Sequence, residues 1–149
     1  MQYARADAGS VRDGTIVCMR VGFGEMPTRK RILVVDDERD TVLTLITLLR
    51  EEGHEVRGLH LARDVMPAVK DFDPDVVVID VALPDGSGYA IAEQIRIRYG
   101  PKRPLVIAVT GVYMRPPHGE LARIVGCDHF LTKPFDTNHL LNLIAPAAA

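Results

Sequence analysis

The chain has 149 residues, of which 47% are hydrophobic and 26% charged, with a formal net charge of −2. That length holds one ordinary domain with a real core, and the composition is that of a folded globular protein, which excludes the disordered and membrane-embedded classes. No run of Lys and Arg offers the basic footprint of a nucleic-acid binder, no apolar stretch is long enough to span a bilayer, and Cys18 and Cys127 lack metal-type spacing, so both are read as free thiols of a cytoplasmic protein.

In chain order, residues 1–28 mix glycines with scattered charges and sustain neither helical nor strand periodicity, the pattern of a flexible leader. The segment around Thr15–Met19 is too short for a signal-peptide core, and Met26 is a second candidate start just ahead of the first strand. From there, short apolar runs alternate with helical periods. The runs Ile32–Val35, Val76–Ile79 and Leu105–Val109 are apolar throughout, as central parallel strands covered on both faces should be. His54–Leu59 alternates and Asp128–Thr132 is mixed, which suits the margins of a sheet. Helices are expected over Asp40–Glu52, Ala62–Phe72, Ser87–Tyr99, Pro117–Val125 and Thr137–Ala145, with Gly53, Gly100 and Gly126 where C-caps belong, and residues 146–149 form a tail. Pro67 is awkward inside the second helix: either Asp64 caps a late start or the helix kinks. Five strands alternating with five helices give an α/β doubly wound parallel sheet.

Polar residues close the strands. Asp36 and Asp37 end the first, Asp80 the third, Thr110 the fourth and Lys133 the fifth. The carboxyl ends of strands in an open α/β sheet line the ligand crevice, so these five side chains converge from distant positions. Alone, each has a bland reading as a helix cap or solvated charge; five together do not. Three adjacent carboxylates need a cation, and hard oxygen ligands suit Mg²⁺. Asp37 and Asp80 are the expected direct carboxylate ligands, with the backbone carbonyl of Ala82 a third and Asp36 acting through water. A carboxylate so placed can attack phosphorus to give an aspartyl phosphate, with Lys133 as second cation and the Thr110 hydroxyl as donor to the phosphoryl oxygens.

Four motifs carry a family resemblance: Ile-Leu-Val-Val-Asp-Asp-Glu at 32–38, Val-Ile-Asp-Val-Ala-Leu-Pro-Asp-Gly-Ser-Gly at 78–88, Ala-Val-Thr-Gly at 108–111 and Phe-Leu-Thr-Lys-Pro-Phe at 130–135. In this order the chain resembles the response regulator receiver domains of two-component signalling, over about residues 30–145. The resemblance implies a flavodoxin-like (βα)5 fold with strand order 2-1-3-4-5 and a receiver domain over 29–145. It also implies that Asp80 is phosphorylated by a sensor histidine kinase or histidine phosphotransfer protein, that Asp36 and Asp37 hold the metal, and that Thr110 and Phe130 move together as the switch. A cis peptide between Lys133 and Pro134 belongs to the same set of expectations, and only an X-Pro bond adopts cis at small cost.

The departures matter as well. Leu83 stands where methionine is common, a volume-conserving change. Phe130 replaces a frequent tyrosine, keeping the ring without its hydroxyl. Met114–Gly119 contains Pro116 and Pro117, so the fourth helix should start late and be short. Ala82 and Val112, two residues beyond Asp80 and Thr110, offer no polar group to orient an attacking water, which predicts slow self-dephosphorylation. After Lys133 no Arg or Lys follows, which disfavours a dimer through charged fourth and fifth helices and predicts a monomer. His129 is assigned no role. The chain is therefore read as a phosphoacceptor switch and not an enzyme. With no output domain after Ala145, its signal would pass through an unknown downstream protein, by onward phosphotransfer, or through a longer parent chain. A haloacid dehalogenase-like phosphatase would need an Asp-x-Asp pair at the first strand, where Asp36-Asp37-Glu38 stands instead.

Overall fold

Among the described residues the backbone realises the expected alternation of strands and helices. The computed structural model describes residues 28–111 and 126–145. Strand β1 (Arg31–Val35) leads to α1 (Arg39–Glu51), β2 (Glu55–Leu59), a 3-10 turn (Ala62–Asp64), α2 (Val65–Phe72) and β3 (Val76–Asp80). A miniature hairpin, β4 (Ala82–Leu83) and β5 (Gly86–Ser87), precedes α3 (Gly88–Tyr99), and β6 (Leu105–Thr110), β7 (His129–Thr132) and α4 (Thr137–Ile144) complete the order. The expected helix Pro117–Val125, Cys18, Val112, the tail and all but the last residue of the expected leader lie outside the described residues.

The main sheet has five parallel strands in the order β2-β1-β3-β6-β7. Setting the hairpin aside, this is the flavodoxin-like order 2-1-3-4-5. Because side chains alternate across a strand, Leu33, Val35, Val77, Ile79, Val106 and Ala108 pack with residues of α2 and α3 such as Val69, Phe72, Ile91 and Ile95. Their neighbours Ile32, Val34, Val76, Val78, Ile107 and Val109 pack on the other face with Val42, Leu45 and Leu49 of α1 and Leu140 and Ile144 of α4. All five residues of β3 are buried, which is why this central strand reads as apolar until it reaches Asp80.

Local chemistry resolves the proline. Pro67 is the third residue of α2, within the first turn, whose amides have no intrahelical acceptor to lose. The helix starts late, as one alternative held, but the Asp64 side chain makes no capping bond. Instead Asp85, between the hairpin strands, accepts from the backbone amides of Ala62 at 2.7 Å and Arg63 at 3.0 Å. Ser87 and Asp136 cap α3 and α4 by accepting from Tyr89 and Asn138 amides. Among the described residues no helix is long and apolar enough to cross a membrane.

Candidate functional site

The carboxyl ends of β1, β3, β6 and β7 converge as topology requires. Asp36 follows β1 and is held there by its own backbone: its amide donates to the Leu59 carbonyl at 3.1 Å, and its Oδ1 accepts from the Glu38 amide at 2.9 Å. Asp80 is the last residue of β3, and its Oδ1 accepts from the Ala82 amide at 3.0 Å. Gly88 makes this end of the strand possible. It donates to the Val81 carbonyl at 2.8 Å, and a β-carbon there would stand 2.5 Å from the Asp80 carbonyl oxygen, so only glycine lets α3 begin this close.

Lys133 reaches into the acids from the residue after β7. Its Nζ donates to Asp36 Oδ2 at 2.8 Å and to Asp80 Oδ2 at 3.1 Å, and its backbone amide donates to the Thr110 carbonyl at 2.8 Å. The Lys133–Pro134 peptide is cis, as is Arg103–Pro104. Carboxylate oxygens of Asp36, Asp37 and Asp80 all lie within 4.8 Å of one another. Asp36 and Asp80 are buried, while Asp37 is exposed. Ala82 opens the hairpin beside them and is exposed.

Among the described residues one ammonium, bonded to Asp36 and Asp80, stands in a cluster of three carboxylates. Two like charges 4 Å apart repel by about 4 kcal/mol at an effective dielectric near 20, and Lys133 offsets only one of the three. Burial, reinforced by the negative charge of Asp36, therefore raises the Asp80 carboxyl above its ordinary range, although the Ala82 amide and Lys133 oppose the rise. Burial alone would lower Lys133, but its hydrogen bonds to Asp36 and Asp80 outweigh that and hold it above the usual lysine value. The shortfall of positive charge and the all-oxygen donor set fit a hard divalent cation.

Thr110 ends β6 and is 1% exposed, yet its Oγ1 has no hydrogen-bond partner. A buried hydroxyl left unpaired costs about 1–3 kcal/mol, and such an orphan beside an acid pocket fits a missing acceptor. Phe130 lies in β7 opposite Ala108 and packs edge-on against Tyr89, with ring centroids 6.2 Å apart and planes at 74°. Four of the five strand-end side chains are thus brought together directly. The roles of Gly88, Asp85 and Tyr89 escaped sequence reasoning, because nothing periodic reports a contact made across the fold.

An open doubly wound sheet with a lysine and three carboxylates at its strand ends defines an α/β acid-pocket domain. The chain belongs to the response regulator receiver domain family, whose match covers residues 32–145. Its fold is also that of solved receivers. A CheY-like response regulator receiver domain protein from Methanospirillum hungatei is 26% identical with a TM-score of 0.71, over 78% of this chain and 91% of that one. Response regulator TrrA from Thermotoga maritima, solved in complex with Mg²⁺-BeF, is 27% identical with a TM-score of 0.67, over 77% of this chain and 96% of that one. The beryllofluoride-activated NtrC4 receiver domain dimer is 30% identical with a TM-score of 0.68, over 76% of this chain and 92% of that one.

Proposed function

We propose that this receiver, spanning residues 29–145, accepts a phosphoryl group on Asp80 from a histidine of a sensor kinase or phosphotransfer protein. The observation that carries the reading is the buried Asp80 carboxylate at the end of β3, bonded to Lys133 and flanked by Asp36 and Asp37. An Asp80 oxygen would form the new O–P bond as the N–P bond of the donor breaks, and the departing imidazole nitrogen would keep the bonding pair and take a proton from solvent. Lys133 would offset the charge gathered on the phosphoryl oxygens, and the unpaired Thr110 hydroxyl would donate to one of them.

Asp36, Asp37, Asp80 and the Ala82 carbonyl would hold Mg²⁺. When bound, the ion would neutralise the excess carboxylate charge and polarise the phosphoryl oxygens. The complex of TrrA with Mg²⁺-BeF supports that choice of ion. Thr110 turning toward the phosphoryl group would free space for Phe130, so the two would move together and reshape a protein-docking surface near the expected fourth helix and the fifth strand of the main sheet, β7. We read the protein as a cytoplasmic monomer that binds neither nucleic acid nor membrane, signals through a downstream protein or passes the phosphoryl group onward, and dephosphorylates slowly because exposed Ala82 offers no polar group to a water.

Incubation with acetyl phosphate and Mg²⁺, followed by intact mass, tests the reading. Wild type should gain one phosphoryl group and Asp80→Asn none; a wild type that gains none, or an equally labelled variant, would overturn it. A phosphoryl lifetime of seconds with metal present would refute the slow hydrolysis alone.

A further inference from the structure

Tyr89 is the second residue of α3, directly after the glycine that brings this helix against the carbonyl of Asp80. Its backbone is fixed on both sides: the Gly88 amide donates to Val81, and the Tyr89 amide donates to Ser87 Oγ at 3.1 Å. From this anchored position the Tyr89 ring meets Phe130 edge-to-face. On β6 the cross-strand partner of Phe130 is Ala108, which is small, so among the described residues the aromatic contact of the Phe130 ring comes from α3 and not from the sheet. The Tyr89 hydroxyl is buried without a hydrogen-bond partner, as is the Thr110 hydroxyl, and they are the two buried side-chain polar atoms so left among the described residues.

An edge-to-face aromatic pair is favourable, and an unpaired buried hydroxyl is unfavourable. Tyr89 therefore brings two opposed contributions to one arrangement of Phe130. We propose that Tyr89 is a positioning residue for Phe130: its ring holds Phe130 in the resting orientation, and its unpartnered hydroxyl limits how stable that orientation becomes. When Phe130 swings toward the space left by Thr110, the ring contact is lost and the hydroxyl gains access to water. The equilibrium between the two states is thus set by the difference of the two contributions. This inference rests on the reading of Thr110 and Phe130 as a coupled switch.

The test uses the 149-residue chain and Mg²⁺-beryllofluoride as the phosphoryl mimic, with affinity and the aromatic NMR signals of Phe130 as readouts. Tyr89→Phe keeps the ring and removes the orphaned hydroxyl, so it should stabilise the resting state and weaken beryllofluoride binding about fivefold. Tyr89→Leu removes the ring as well, so it should bind about two- to tenfold tighter than Tyr89→Phe. In the ligand-free protein the Phe130 signals of Tyr89→Phe, which keeps the ring, should lie further from their ligand-bound positions than those of wild type. A residue that merely fills space would shift thermal stability and leave the affinities, and the resting Phe130 signals of the ring-keeping Tyr89→Phe, where they were. If wild type binds the mimic with a shift of Phe130 but both variants bind within twofold of it, the role of Tyr89 is refuted and the switch stands. If wild type binds with no shift of Phe130, the switch reading itself fails.

Discussion

The two ends of the sheet carry similar residues arranged to opposite effect. At the amino ends of the strands, Arg103 pairs with Asp73 at 3.2 Å and with Asp75 at 2.8 Å, and Arg31 pairs with Asp73 at 3.4 Å. Asp75 also accepts from the Arg31 amide at 2.8 Å. Two acids there meet two arginines. At the carboxyl ends three acids cluster, and among the described residues the cation paired with them is Lys133, bonded to Asp36 and Asp80. Balanced charge ties chain segments together, whereas unbalanced charge leaves a site whose stability depends on what binds to it. Like residues thus tie the fold together at one end and leave a charge excess at the other, and the difference lies in the counting of partners.

The amino end should therefore respond to substitution as structure. Arg96, 15% exposed, reaches from α3 to the carbonyls of Gly126 at 3.0 Å, Gly100 at 3.1 Å and Pro104 at 2.6 Å, and to Asp128 at 2.7 Å. Arg96→Ala leaves these acceptors and the Asp128 charge poorly paired, and urea unfolding should show a loss of about 3 kcal/mol. A loss under 1 kcal/mol would mean that this end is not held by charge pairing.

The carboxyl end should respond as a site. Asp37→Asn is expected to weaken Mg²⁺ binding about tenfold, or roughly 1.4 kcal/mol, measured by calorimetry. An unchanged affinity would remove Asp37 from the proposed Mg²⁺ ligands.

Asp75→Asn returns to the amino end and should cost about 1 kcal/mol at neutral pH, after discounting for solvent screening of a group this exposed. Burial pushes the Asp75 carboxyl up, but the Arg31 amide and Arg103 outweigh it and hold the group below its ordinary value. A depressed folded value means that the stabilisation is present above the unfolded carboxylate value and is lost as pH falls through the folded one. The gap between wild type and Asp75→Asn in thermal melts should accordingly close under acid, below about pH 4. A gap that persists there would point to packing rather than charge.

The smallest expected effect has the opposite sign. In chelator, Asp37→Asn relieves like-charge repulsion and should raise Tm slightly, and saturating Mg²⁺ should erase or reverse that gain. A lower Tm in chelator would break the contrast between the two ends.

Much of this organisation was legible in the residues themselves. Apolar runs marked the central strands because β3 is covered on both faces, and the abrupt polar residues Asp36, Asp80, Thr110 and Lys133 marked where those strands stop. Ser87 was recognisable as a helix start because its hydroxyl caps the amide two residues on, an interaction within a single turn. Asp85, by contrast, gave no such signal: its carboxylate caps a 3-10 turn 22 and 23 positions earlier.

The sequence by itself determined the five long strands with the helices described between them, the doubly wound class and the acids at the strand ends, since periodicity and strand-end polarity are local properties. Only the tertiary structure decided that Lys133 divides itself between Asp36 and Asp80, that Gly88 is the glycine that lets α3 reach the Asp80 carbonyl, and that Tyr89 meets Phe130. Those contacts join residues 41 to 97 positions apart, apart from the one at Gly88. Their geometry follows from how helices settle on the sheet, which depends on the packing of every core side chain at once.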